Sequence, residues 1–120
     1  MVGISNWITY LNNTSDYRKD LRRVEFGDER ETAMKEFLTE ISPVNGVDKI
    51  ASPLLIFQGL NDPRVNYREA EQMYKLLTSK EKEVWYVLAK DEGHGFHKYD
   101  NYLLQRNLTV SFLKMQLSIE

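Results

Sequence analysis

Two short loops hold the residues of this chain best suited to proton chemistry. The first reads Gly59-Leu60-Asn61-Asp62-Pro63-Arg64-Val65 and the second Asp91-Glu92-Gly93-His94-Gly95-Phe96. A histidine can take a proton from a hydroxyl nucleophile and hand it to a leaving group. A carboxylate on its other ring nitrogen holds one tautomer and stabilises the imidazolium. Asp62 and His94 are the residue types this chemistry requires. Gly93 and Gly95 let the chain turn sharply around His94 and admit close backbone approach, while Pro63 stiffens the loop that aims Asp62. Taken alone, Asp62 also reads as an ordinary turn residue, because Asp-Pro pairs are frequent in loops.

A metal site is a second possibility, since His94 and His97 stand near Asp91, Glu92 and Asp100. Gly93 and Gly95 interrupt that segment, so nothing fixes helical spacing between the two imidazoles, and one histidine pair is a weak metal signal. His97 reads as polar surface. Arg64 is within reach of a substrate carboxylate or carbonyl and reads otherwise as a solvated loop arginine. No metal and no cofactor is implied.

The loops need strands behind them. Residues 53–58 and 84–89 are apolar without alternation, as expected of parallel strands covered on both faces. Each loop follows the carboxyl end of its strand, where open α/β sheets place ligands and reactive groups. Between them, Asn66 and Glu69 open a helix with the stripe Ala70, Met73, Tyr74 and Leu77. Upstream, Trp7, Tyr10 and Leu11 predict a short helix capped by Ser5 or Asn6, and residues 17–24 a basic surface helix. A longer helix is expected from Asp28, paired with Glu31 in a capping-box pattern, with Met34, Phe37, Leu38 and Ile41 as its stripe. Ser42-Pro43 stops it. Residues 44–51 read as a connector turning at Asn45-Gly46. The last helix presents Leu104, Leu108, Phe112 and Met115 on one face, and a further strand is expected near residues 1–5. Alternating helices and strands give an α/β domain of about three parallel strands with helices on the faces.

On these residues the chain resembles one known family. The run from Ser52 to Val65 is similar to the acid-bearing segment of the prolyl oligopeptidase family of serine peptidases, and Asp91–Phe96 to that family's histidine loop. The stretches 20–31 and 41–43 also resemble it, so the similarity covers nearly the whole chain, closest to bacterial acylaminoacyl-peptidase-like members. The resemblance implies that residues 1–120 form the C-terminal portion of an α/β-hydrolase catalytic domain. It makes Asp62 the triad acid and His94 the triad base, in the order serine, acid, histidine that such hydrolases follow. The nucleophile would sit on an upstream Gly-x-Ser-x-Gly elbow. None of Ser5, Ser15, Ser42 or Ser52 lies in that motif. The nucleophile elbow, the β-propeller and one oxyanion donor are therefore expected to be absent, and the chain alone to be inactive.

Composition narrows the remaining classes. The 120 residues fit one domain with a real core, and 42% hydrophobic with 12% aromatic content argues against disorder. Net charge is −2 with both signs interleaved, so no basic stripe suits nucleic acid. Cysteine is absent, which removes disulfides and thiolate catalysis and is compatible with a cytoplasmic location. The apolar runs are too short to span a bilayer. Three readings fit the sequence: an inactive piece of a serine peptidase, half of a split peptidase completed by a separate N-terminal chain, or a non-catalytic interaction module on a hydrolase scaffold. A peptide is the expected substrate only where the missing half is supplied. Self-association or a partner chain is expected along Val2 to Asn6, where a strand would present an unpaired edge.

Overall fold

Two runs of apolar residues pair as parallel strands in the computed structural model, which describes residues 3–118. Strand β1 (Leu54–Gly59) lies beside β2 (Val84–Ala89), in register from Leu54 opposite Val84 to Gly59 opposite Ala89. Side chains alternate between the two faces of a strand, and helices cover both faces here. On one, Ile56 and Val84 pack with helix α4 (Arg68–Ser79) through Met73 and Leu77, and Tyr86 stacks on Tyr74 at 5.2 Å. On the other, Trp85 meets Phe112 of helix α5 (Tyr99–Leu117) edge to face at 5.4 Å, and Phe57 meets Phe96 at 5.7 Å.

The upstream residues build a second cluster from helices α1 (Trp7–Asn13), α2 (Asp16–Phe26) and α3 (Thr32–Glu40). The Asn6 side chain caps α1 by accepting from the Ile8 and Thr9 N–H groups. Tyr10, Leu11 and Leu38 are buried in this cluster. The fourth buried member is Val65, which comes from the loop after β1 and so links the helical cluster to the sheet. A short 3-10 segment (Pro43–Lys49) connects α3 to β1 and buries Val47 against α4. Among the described residues, no helix is long and apolar enough to cross a membrane.

The α/β architecture with a parallel sheet is as expected, but three details differ. Among the described residues the sheet has two strands rather than three. Gly3–Asn6 forms no strand, because its polar groups bond elsewhere: the Ser5 and Asn6 N–H groups donate to the Glu69 carboxylate, and the Ser5 carbonyl accepts from Val44. Met1 and Val2 lie outside the described residues. Helix α3 starts at Thr32 instead of Asp28, since the Asp28 carboxylate is held by the Arg30 backbone and guanidinium in a turn. Finally, the α5 stripe is not one buried face. Phe112 is buried, but Leu104 and Met115 are exposed, as are Leu103, Val110 and Leu113 on other sides of the helix.

Candidate active site

Both loops leave the sheet at the same end because the strands are parallel and in register. Their backbones are then stitched together. Leu60 donates to the Ala89 carbonyl at 2.9 Å, Asn61 to the Glu92 carbonyl at 3.0 Å, and the Asn61 amide side chain to the Lys90 carbonyl at 2.9 Å. Gly59 permits this contact, since a Cβ there would strike the Gly93 and Glu92 carbonyl groups. Gly95 supplies the positive φ of +100° at which the histidine loop turns back.

This stitching brings Asp62 and His94 together. The Asp62 Oδ1 accepts the backbone N–H groups of Arg64 at 2.8 Å and Val65 at 3.0 Å, which fixes the carboxylate on its own turn. Its Oδ2 lies 2.9 Å from His94 Nδ1. A carboxylate only accepts, so His94 Nδ1 carries the proton and donates. The Asp62 side chain is 0% exposed, whereas that of His94 is 39% exposed. Among the described residues no hydrogen-bond partner faces His94 Nε2, which leaves a basic lone pair directed away from the acid. The arrangement can accept a proton at Nε2 and stabilise the resulting imidazolium through Asp62.

The other candidates stay apart from this pair. His97 donates from Nε2 to the His94 carbonyl at 3.2 Å and so belongs to the loop's own bonding. Among the described residues no three potential ligand side chains converge as a metal would require. The Ser5 hydroxyl lies against Glu69, and that of Ser42 donates to the Leu38 carbonyl while accepting from the Trp7 N–H. No serine hydroxyl among the described residues bonds to His94. Arg64 is exposed and lines a polar cavity with Arg18, Arg22, Tyr10 and Asp62, to which His94 does not contribute.

One member of the site reads in the sequence only as an acidic neighbour of the two histidines. Glu92 is buried, and its carboxylate accepts from the His97 N–H at 3.1 Å, the Lys98 N–H at 2.8 Å and the Asn101 amide at 2.9 Å. Burial by itself would raise this carboxyl, but the three donors outweigh it and hold it below the usual carboxylate range. Beside it, Asp91 is held low by Lys98 and Asn101. The signal in the sequence was slight: an acidic residue next to a glycine reads as solvent-exposed until the fold shows otherwise.

Comparison with known proteins decides the family. The model of the prolyl oligopeptidase family of peptidases matches residues 1–120. This chain belongs to the prolyl oligopeptidase family. It is 41% identical over 116 residues to dipeptidyl aminopeptidase BIII of Pseudoxanthomonas mexicana, a match that takes in 94% of this chain. Its fold superposes on a Mycobacterium tuberculosis puromycin-hydrolyzing peptidase with a TM-score of 0.88 and 27% identity, over 98% of this chain and 18% of that one. An acylaminoacyl peptidase of Pyrococcus horikoshii shares the fold at a TM-score of 0.79 and 23% identity, over 96% of this chain and 19% of that one. The chain spans 17% of the length of the curated relatives it matches. Within this family's α/β-hydrolase fold, the present residues provide a two-stranded parallel portion of the sheet and the two loops at its carboxyl end.

Proposed function

We propose that this chain supplies the acid and the base of a serine-peptidase triad, Asp62 and His94, to a nucleophile that lies outside these 120 residues. The observation that carries the reading is the His94 Nδ1–Asp62 Oδ2 hydrogen bond of 2.9 Å, made by a carboxylate with no solvent exposure and leaving Nε2 open. In the reaction, Nε2 takes the proton of a serine hydroxyl as its oxygen attacks the peptide carbonyl. The imidazolium, stabilised by Asp62, then protonates the departing amine. A water repeats the sequence on the acyl-enzyme.

The inventory of hydroxyls supports an external nucleophile, because Ser5 and Ser42 are committed to structural bonds and no serine stands on an elbow motif. The chain alone is then inactive, and a serine-bearing portion of a hydrolase domain is its partner. Fluorophosphonate labelling tests this. The chain alone takes no label, and a mixture with a serine-bearing upstream half of a family member labels on that half, dependent on His94. Labelling of a serine within this chain, abolished by His94→Ala, overturns the proposal.

A further inference from the structure

Glu92 sits where the two reactive loops and the start of α5 meet. Its backbone carbonyl accepts the Asn61 N–H at 3.0 Å, one residue from Asp62. Its carboxylate reaches across the histidine loop to the N–H groups of His97 and Lys98 and to the Asn101 amide. His94 is enclosed between these attachments, and the His97 ring closes the loop from within by donating to the His94 carbonyl. The side chain therefore clamps both limbs of the segment that carries the imidazole.

A helix cap does not account for this geometry. A capping side chain bonds the N–H groups two or three residues inside the helix, whereas α5 begins at Tyr99 and Glu92 bonds the N–H groups of the two residues before it. The donors belong to the returning limb of the loop. Three N–H donors converging on a buried group also call for an acceptor-only side chain. Glutamine would turn its own amide N–H toward one of them and leave two donors face to face.

We propose that Glu92 is a positioning residue: its carboxylate fixes the path of residues 92–98 and thereby holds the His94 imidazole on Asp62. It touches no reacting atom and acts only through His94. The proposal rests on the reading of Asp62 and His94 as the acid–base pair.

Long-range 1H–15N spectroscopy on the histidine-labelled chain tests both, and separately. In the wild type, His94 is a single tautomer protonated at Nδ1, and Asp62→Asn abolishes that preference. A wild-type His94 without the bias overturns the acid–base reading itself. With the bias established, Glu92→Gln mixes the tautomers and speeds exchange of the Nδ1 proton by about tenfold or more, the loss expected when hydrogen bonds to a charged acceptor are broken. Glu69→Gln disrupts another buried carboxylate and controls for general loss of stability, so its His94 spectrum stays that of the wild type. An unchanged His94 tautomer in Glu92→Gln, or an equal change in Glu69→Gln, overturns the proposal. If Glu92→Gln fails to fold, Asn101→Ala decides. It keeps the carboxylate and removes one donor, so exchange rises about threefold, and unchanged exchange rejects the positioning role.

Discussion

Gly59 is pressed against Gly93 so closely that a single methyl group on the first would collide with the carbonyl oxygen of the second. This contact lets the acid loop and the histidine loop run side by side, with Asn61 bonded to Glu92 and Asp62 to His94. Because the obstructing atoms are backbone, no rotamer change relieves the collision. Gly59→Ala is therefore expected to lower stability by about 1–3 kcal/mol, the range for overpacking a tight site, and to lengthen or break the Asp62–His94 bond. Urea unfolding together with the His94 tautomer measures both.

Glu69 tethers the residues before α1 to α4. Its carboxylate accepts from the Ser5 and Asn6 N–H groups, the Gln72 amide and the Thr9 hydroxyl, and the residue is fully buried. Glu69→Ala strands several buried donors at once, each at about 1–3 kcal/mol. The expected outcome is a loss of at least about 3 kcal/mol with local loosening of Gly3–Asn6. Hydrogen exchange at Ser5 and Asn6 reports the loosening directly.

Acid should destabilise the fold over an interval that begins near the ordinary carboxylate range and extends below it. Glu29, Asp91 and Glu92 are all held below their ordinary values: the Arg23 guanidinium and the Lys98 ammonium lead for the first two, and for Glu92 the three donors overcome the effect of burial. A group whose folded pKa is depressed releases its proton more readily in the folded state. Its contribution is therefore present above the ordinary carboxylate range near ~4 and fades as pH falls through the lower folded values. Urea midpoints measured from pH 7 to pH 2 should decline over that lower interval, and less steeply in Glu92→Gln.

The alkaline side has its own marker in Tyr86. Burial raises this phenol above its ordinary value, with the Glu71 carboxylate adding to the effect. The folded state thus favours the protonated form, and its contribution is full below pH ~10 and lost as pH rises through the higher folded value. The hydroxyl is buried without a protein partner. Tyr86→Phe should keep stability at neutral pH within about 1 kcal/mol or increase it, and should flatten the alkaline decline. Absorbance titration of tyrosinate alongside unfolding checks both.

What the sequence made legible was local. Asp62 and His94 stand in short loops whose flanking glycines and proline are themselves the signal, and the runs behind them read as strands because no polar residue interrupts them until Gln58. The strand expected near residues 1–5 rests on the apolar run at 1–4, for the same reason. Strand formation is settled by what offers the next row of hydrogen bonds, and Glu69 on α4 took the N–H groups instead. Glu69 reads in the sequence only as a helix-opening residue and Glu92 only as a neighbour of the two histidines, because a charged side chain is taken as solvated until its donors, up to 64 residues away in the chain, are brought to it. The two-sided exposure of α5 was hidden in the same way, since an apolar stripe names a face without naming its cover.

Val65 gives the site an unusual vulnerability. Its side chain is seated among Tyr10, Leu11 and Leu38, while its N–H is one of the two backbone donors that set the angle of Asp62. Shape changes in the helical cluster are passed along one residue to the carboxylate. A substitution such as Leu38→Ala would then disturb the Asp62–His94 bond as well as costing about 2–5 kcal/mol of packing.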